Sequence, residues 1–332
     1  MRVRHSVPNP VSSSDHVPGT DTTTPSIPDK KSVDYFRPQR VTEVYAAMEA
    51  IVAINAASVQ EACGILGVSR SAYYAWRRAE PTTRDEQDSE LLPLVRTVFQ
   101  KHSRRYGARR IAAELSDMGH ACGRRRVAKL LEMQGLRAIQ PKSYKPRTTE
   151  SRHRLGYSPN LLLEAEQPTS INQLWVGDIT YVPIVGGVFS YLATLMDRFS
   201  RRIVGWELGQ DMTEQLVLAA LTAAIRSRGP GAGLIHHTDR GGQYAGAEYR
   251  AVLRRAEMRQ SMSRAGDCYD NAFMESCFGT FKTELEMTEY QDHAEARGEI
   301  ANYVAYYNLE RKHSALSYLS PHQFENIKRP AN

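Results

Sequence analysis

Cysteine is scarce and unpatterned in this chain of 332 residues: Cys63, Cys122, Cys268 and Cys277 include no Cys-x-x-Cys pair. That excludes a zinc knuckle and a disulfide framework, and points to free thiols in a reducing cytoplasm. No run reaches the roughly 18 apolar residues that a membrane helix needs, and the first residues lack an apolar signal core, so neither a spanning nor an exported protein is expected. No repeat of solenoid period is present. What the chain does have is length for two or three domains. It also has a net charge of +6 and a pI near 9.1, a balance common in proteins that meet a polyanion.

Residues 1–41 carry Pro8, Pro10, Pro18, Pro25 and Pro28 among many Ser and Thr; too little apolar surface is available to offset chain entropy, so a disordered tail is expected. From Thr42 to about residue 79 the pattern turns helical. Val59 to Arg78 fits two short helices joined at Gly67, with Ser69 capping the second, the layout of a helix-turn-helix. An ordinary helical hairpin has the same pattern, and only Arg70, Arg77 and Arg78 favour DNA. After a polar spacer from Glu80 to Glu90, residues 90–140 read as a second helical pair around a Gly-bearing turn. Between Lys101 and Arg154 fifteen Lys or Arg face four acids, enough to neutralise several phosphates. Arg109, Arg110, Arg124, Arg125, Arg126 and Lys129 are therefore DNA-contact candidates. Residues 141–168 read as a basic extended linker.

From Gln173 the reading changes to strands: Leu174 onward, stopping at Pro183, then Tyr191 to Met196 and Arg202 to Leu208. A long helix from Thr213 to Arg228, a strand at Leu234, a helix from Gly246 to Glu257 and a short strand near Gln260 complete a mixed five-stranded sheet with helices on its faces. The end of the chain reads as an amphipathic helix, Ala294 to Tyr307, followed by an arm.

Three carboxylates stand out. Asp178 lies in the first strand, and Asp239 where the fourth strand gives way to Gly241 and Gly242. Glu275 lies in a helix that Asp270 or Asn271 can cap. In that helix Met274, Phe278, Phe281 and Leu285 form an apolar stripe, and Glu275, Gly279 and Lys282 a second one. Ligand sites in open α/β sheets gather outside strand ends, where clustered carboxylates repel unless cations neutralise them. Oxygen-only ligation suits Mg²⁺ or Mn²⁺, and two such ions can drive in-line displacement at phosphorus.

Thirty-five residues separate Asp239 from Glu275, and Lys282 follows the glutamate by two helical turns. With His236-His-Thr-Asp-Arg-Gly-Gly-Gln-Tyr, Tyr269-Asp-Asn-Ala-Phe-Met-Glu-Ser-Cys-Phe-Gly-Thr-Phe-Lys and Tyr306-Tyr-Asn-Leu-Glu-Arg-Lys-His, the chain from Thr42 to Asn326 resembles the second-frame product of IS3-family insertion-sequence transposases, which have a retroviral-integrase-like catalytic core. The resemblance implies an RNase H-like fold preceded by helix-turn-helix units. It makes Asp178, Asp239 and Glu275 the catalytic and metal-binding triad, and Lys282 a contact to the element's DNA end. It implies Mg²⁺, with Mn²⁺ as substitute and two ions expected, for a reaction in which hydrolysis exposes a 3′ hydroxyl that attacks another phosphodiester. Expected partners are the double-stranded element ends and target DNA, further copies of the chain, and an upstream-frame product with a helix-turn-helix and leucine zipper, in a nucleoid-associated cytoplasmic setting. Thr238 and Gly242 depart from the serine more usual in the family.

Other readings are available. His236, His237 and Asp239 could form a two-histidine iron site, but adjacent strand residues point to opposite faces. Asp197 rivals Asp178 as the upstream acid, although its Asp-Arg-Phe-Ser-Arg setting suits a turn. A silent DNA-binding repressor of the element, or an RNase H-like nuclease that cuts without joining, would share much of this pattern.

Overall fold

A computed structural model describes residues 38–54, 57–78, 83–141, 156–163, 165–264, 272–286 and 289–328. The chain divides into two compact units, at Arg84 and Asp85. The first holds helices α1 (Pro38–Ala53), α2 (Val59–Leu66) and α3 (Arg70–Arg77). Gly67 closes α2 in the left-handed region at φ 66°, where glycine pays no Cβ penalty, and the Ser69 hydroxyl accepts the N–H of Ala72 to open α3. Tyr45, Met48, Ala62, Cys63 and Tyr73 form its core. The expected helix pair is there, preceded by α1, which begins at Pro38 inside the stretch expected to be tail. The remainder of that tail lies outside the described residues.

The second unit opens with α4 (Thr83–Lys101), α5 (Ala108–Asp117) and α6 (Arg124–Met133), packed around Val95, Phe99, Tyr106, Ile111, Leu115, Val127 and Leu130. The expected polar spacer is thus mostly the start of α4. Its polarity misleads because Asp88 is buried against Arg126, 2.5 Å away on α6.

Next comes a five-stranded sheet, ordered β3-β2-β1-β4-β5. Its strands are β1 (Leu174–Ile184), β2 (Val188–Asp197), β3 (Ile203–Gly209), β4 (Ile235–Thr238) and β5 (Arg259–Met262). β1, β2 and β3 pair antiparallel, while β4 lies parallel to β1 and to β5. β1 runs one residue past its expected stop because Pro183 turns its missing N–H away from β2: its carbonyl, on the same side, accepts from Tyr290 N. α7 (Glu214–Arg228) and α8 (Ala247–Arg255) cover one face, against Trp175, Leu195 and Val204. α9 (Ala272–Glu284) and α10 (His293–Leu309) cover the other, against Val176, Leu192 and Met196. α11 (Pro321–Lys328) follows.

Two expectations change. Residues 142–155 of the expected linker lie outside the described residues, but the following stretch is packed: Leu161 N donates to Ser261 Oγ at 2.9 Å and Ser158 Oγ to Gln260 at 2.8 Å, along β5. The arm after α10 is buried as well, with Arg311, Lys312 and His313 all under a tenth exposed. Lys312 reaches Asp117 on α5, and its backbone N–H donates to the Tyr106 hydroxyl at 2.7 Å, so the arm straps the three-helix layer to the sheet domain.

Candidate active site

The parallel ladder sets the central geometry. Leu174 pairs with Ile235, Trp175 with His236 and Val176 with His237, a constant offset of 61 residues. Carried two residues further, that register sets Asp178 level with Asp239. Level residues on parallel neighbours leave the same face, about 4.8 Å apart at the backbone. Val176 packs towards α9 and α10 whereas Trp175 packs towards α7 and α8, so alternation puts Asp178 on the α9 face. Gly177 permits this close ladder, since a Cβ there would stand 2.9 Å from the His236 ring.

Each carboxylate is oriented locally. Asp178 Oδ1 accepts from Ile179 N at 2.8 Å, and Asp239 Oδ1 from Gly241 N at 2.9 Å, within the turn that ends β4. Burial raises the pKa of the Tyr244 phenol well above its ordinary range, and the charges of Asp178 and Asp239 both push it further. Asp178 is also felt on α9. Burial pushes the Cys277 thiol up to about 12, with Asp178 adding a little, and burial lowers Lys282 while Asp178 opposes the shift.

On α9 the expected stripes hold: Met274, Phe278 and Phe281 are buried, Leu285 packs beside them, and Glu275 and Gly279 are exposed with Lys282 between these extremes. A Cβ at Gly279 would meet nothing within 4 Å, so the surface between Glu275 and Lys282 is open. Among the described residues no three His, Cys, Asp or Glu side chains come together closely enough to hold one ion. The β1–β4 register runs Asp178 level with Asp239, while Glu275 stands on the exposed flank of α9. The candidate caps Asp270 and Asn271 lie outside the described residues.

The histidines separate as strand alternation requires. His236 Nε2 meets the Tyr249 hydroxyl at 2.6 Å, and His237 bridges Ser261 and Ser263 at 2.8 and 3.1 Å. Asp197 takes the turn role, its carboxylate accepting the N–H groups of Asn172, Phe199 and Ser200 at 2.7 to 3.0 Å. Of the basic candidates, Arg109, Arg124, Arg125 and Lys129 are exposed. Arg110 and Arg126 instead serve packing, paired with Glu284 at 3.0 Å and Asp88 at 2.5 Å.

Glu284 itself escaped the sequence reading. Its buried carboxylate takes two hydrogen bonds from Arg311 and one each from Arg110 and the Tyr303 hydroxyl, joining α9 to α5 and to the strap. The available signal was its place three residues after Phe281, on the flank of the apolar stripe, where an acid needs a buried partner.

Comparison with known proteins agrees with this architecture. The Integrase core domain family matches residues 168–268, a second Integrase core domain family matches 256–321, and an HTH-like domain matches 86–144. The chain is 41% identical over 264 residues to the Shigella sonnei insertion element IS600 uncharacterized 31 kDa protein, covering 79% of this chain and 96% of that one. It is 40% identical over 273 residues to Escherichia coli K12 transposase InsF for insertion sequence IS3A, covering 81% and 94%. Among solved structures, the HTLV-2 integrase catalytic core domain in complex with magnesium aligns at 17% identity and TM-score 0.38, over 47% of this chain and 98% of that one. On the family match and the extent of its kinship with InsF, the chain belongs to the IS3-family transposases, enzymes of DNA transposition with an integrase-type core.

Proposed function

We propose that Asp178, Asp239 and Glu275 are the catalytic carboxylates with which this transposase cuts and joins the DNA ends of its insertion sequence. The observation that supports the reading is the parallel pairing of β1 with β4, whose register, continued past Val176 and His237, runs Asp178 on β1 level with Asp239 just beyond the end of β4. Two carboxylates so close repel, and an all-oxygen donor pair of this kind fits Mg²⁺ or Mn²⁺. Asp178 and Asp239 would hold the ions, with Glu275 the third carboxylate from α9. Bound there, two such ions supply an activated attacking oxygen and stabilise the leaving one. Lys282 positions a phosphate beside the reacting bond, as a point charge suited to phosphate oxygens. Arg109, Arg124, Arg125 and Lys129 present an exposed basic face to duplex DNA, steering the element end towards the sheet domain. Assembly of several copies on DNA, and an upstream-frame helix-turn-helix partner, belong to the same proposal.

Purified protein incubated with Mg²⁺, labelled element ends and a target duplex tests it. Joined products are expected. Cleavage without joining would indicate a nuclease, and binding without either a repressor.

A further inference from the structure

The turn between β2 and β3 reads Asp197-Arg-Phe-Ser-Arg-Arg. Three backbone N–H groups fill the Asp197 carboxylate, and Arg201 N donates to Asp197 O at 2.8 Å with Arg201 in the left-handed region at φ 62°. This built turn projects its arginines in different directions. Arg202 joins Glu325 at 3.0 Å, in a carboxylate site it shares with Arg228. Arg198 and Arg201 go to the catalytic helix, where their guanidinium carbons lie 3.3 and 4.3 Å from the centroid of the same ring, Phe273.

Among the described residues neither cation has an ion-pair partner. Arg198 donates to Gln167 Oε1 at 3.0 Å, and the Arg201 guanidinium makes no hydrogen bond with the described residues. Burial pulls both pKa values down, Arg198 to about 10 with the charge of Arg201 adding to the effect. Asp197 is the acid that Arg201 feels, but its oxygens are already occupied and its own pKa is raised by burial. The Tyr307 hydroxyl and Cys277 thiol, also near Arg201, are neutral at ordinary pH, and His313, whose pKa burial lowers first and the charge of Arg201 among others lowers further, is neutral too. One stacked arginine would cover the ring; a second brings like-charge repulsion and desolvation, and among the described residues no free anion offsets either.

We propose that Arg198 and Arg201, braced on Phe273, form a clamp for a backbone phosphate of duplex DNA. Paired guanidinium forks match the geometry of phosphate oxygens. At 100° per residue Phe273 lies on the flank of α9 opposite Lys282, so the clamp takes a phosphate other than the one that Lys282 positions. The proposal rests on the transposase reading, and the phosphate can belong to the element end or to the target.

The test measures how duplex affinity varies with salt, for an element-end duplex and for one of unrelated sequence. Arg198→Gln and Arg201→Gln should each reduce the slope of log K against log salt by about 0.9, while Arg198→Lys and Arg201→Lys, which keep the charge and lose the planar stack, should retain it. A loss confined to the element-end duplex assigns the phosphate to the end, and a loss on both duplexes assigns it to DNA at large. Equal slopes for the Gln and Lys variants and wild type overturn the clamp and leave a purely packing role. The Arg198 pair carries the contrast by itself should Arg201→Gln fail to fold. Wild-type protein without salt-dependent duplex binding would overturn the transposase reading along with the clamp.

Discussion

Arg311 grips Glu284 with both arms, Nε to Oε2 and Nη2 to Oε1, each at 2.7 Å, with both side chains about 5% exposed. Glu284 closes the helix that carries Glu275, Arg311 belongs to the strap, and Arg110 brings in α5 at 3.0 Å. Helix α9 and the HTH-like layer thus share one buried carboxylate. Removing one partner of such a pair leaves an uncompensated charge, so Glu284→Gln should lower unfolding stability by about 3 to 5 kcal/mol in urea denaturation.

The same pair sets a pH dependence. Burial pushes the Glu284 pKa up, but hydrogen bonds and charge from Arg311, with Arg110 and Tyr303, outweigh it and the net shift is downward from 4.5. A carboxyl with a depressed folded pKa contributes stability that is present above its unfolded value and lost as pH falls through the folded one. The stability gap between wild type and Glu284→Gln should therefore be constant above pH 5 to 6 and close as pH falls below about 4.5. A gap that widens on acidification would contradict the ion pair.

β3 and α7 meet at Gly205, where a Cβ would stand 2.4 Å from the Ala220 carbonyl oxygen and 2.7 Å from Ala224 Cβ. Backbone cannot yield as a flexible side chain can, so Gly205→Ala should cost about 1 to 3 kcal/mol, read as a lowered urea midpoint with unchanged m-value.

Much of this architecture was legible in the sequence, for identifiable reasons. β-rich runs and Gly breaks located the five strands, and the breaks at Gly241 and Gly242 put Asp239 at a strand exit. The stripe of Met274, Phe278 and Phe281 fixed the buried side of α9. What escaped were charged residues whose partners lie far along the chain: Asp88 meets Arg126, Glu284 meets Arg311, and Lys312 meets Asp117. Local patterning reads such residues as solvated, so the first turns of α4 looked like a spacer and the strap like an arm. The level placement of Asp178 and Asp239 was equally hidden, because register between strands 61 residues apart is a tertiary property.

Lys282 is half-buried, and burial lowers its pKa while the charge of Asp178 opposes the shift. Lys282→Ala should slow joining of element ends and reduce the salt slope of duplex binding by about 0.9. Unchanged slope and unchanged joining in the same titration would leave the lysine without a DNA role.

A divalent ion that binds the folded state alone raises its stability by mass action, by about 2.7 kcal/mol at a hundredfold excess over Kd. Mg²⁺ and Mn²⁺ should raise the melting temperature of the wild type and not that of Asp178→Asn. Ca²⁺, larger and less exacting in geometry, should stabilise the protein and its DNA complex without supporting efficient chemistry. Rapid turnover in Ca²⁺ alone would count against the proposed ions.

The most direct measurement compares wild type with Asp239→Asn in Mg²⁺, scoring end cleavage, strand joining and duplex affinity on the same preparations. Asparagine keeps the size of the side chain and removes the charge that holds the ion. The account predicts loss of both cleavage and joining with duplex affinity largely intact; cleavage or joining retained near the wild-type rate would contradict it.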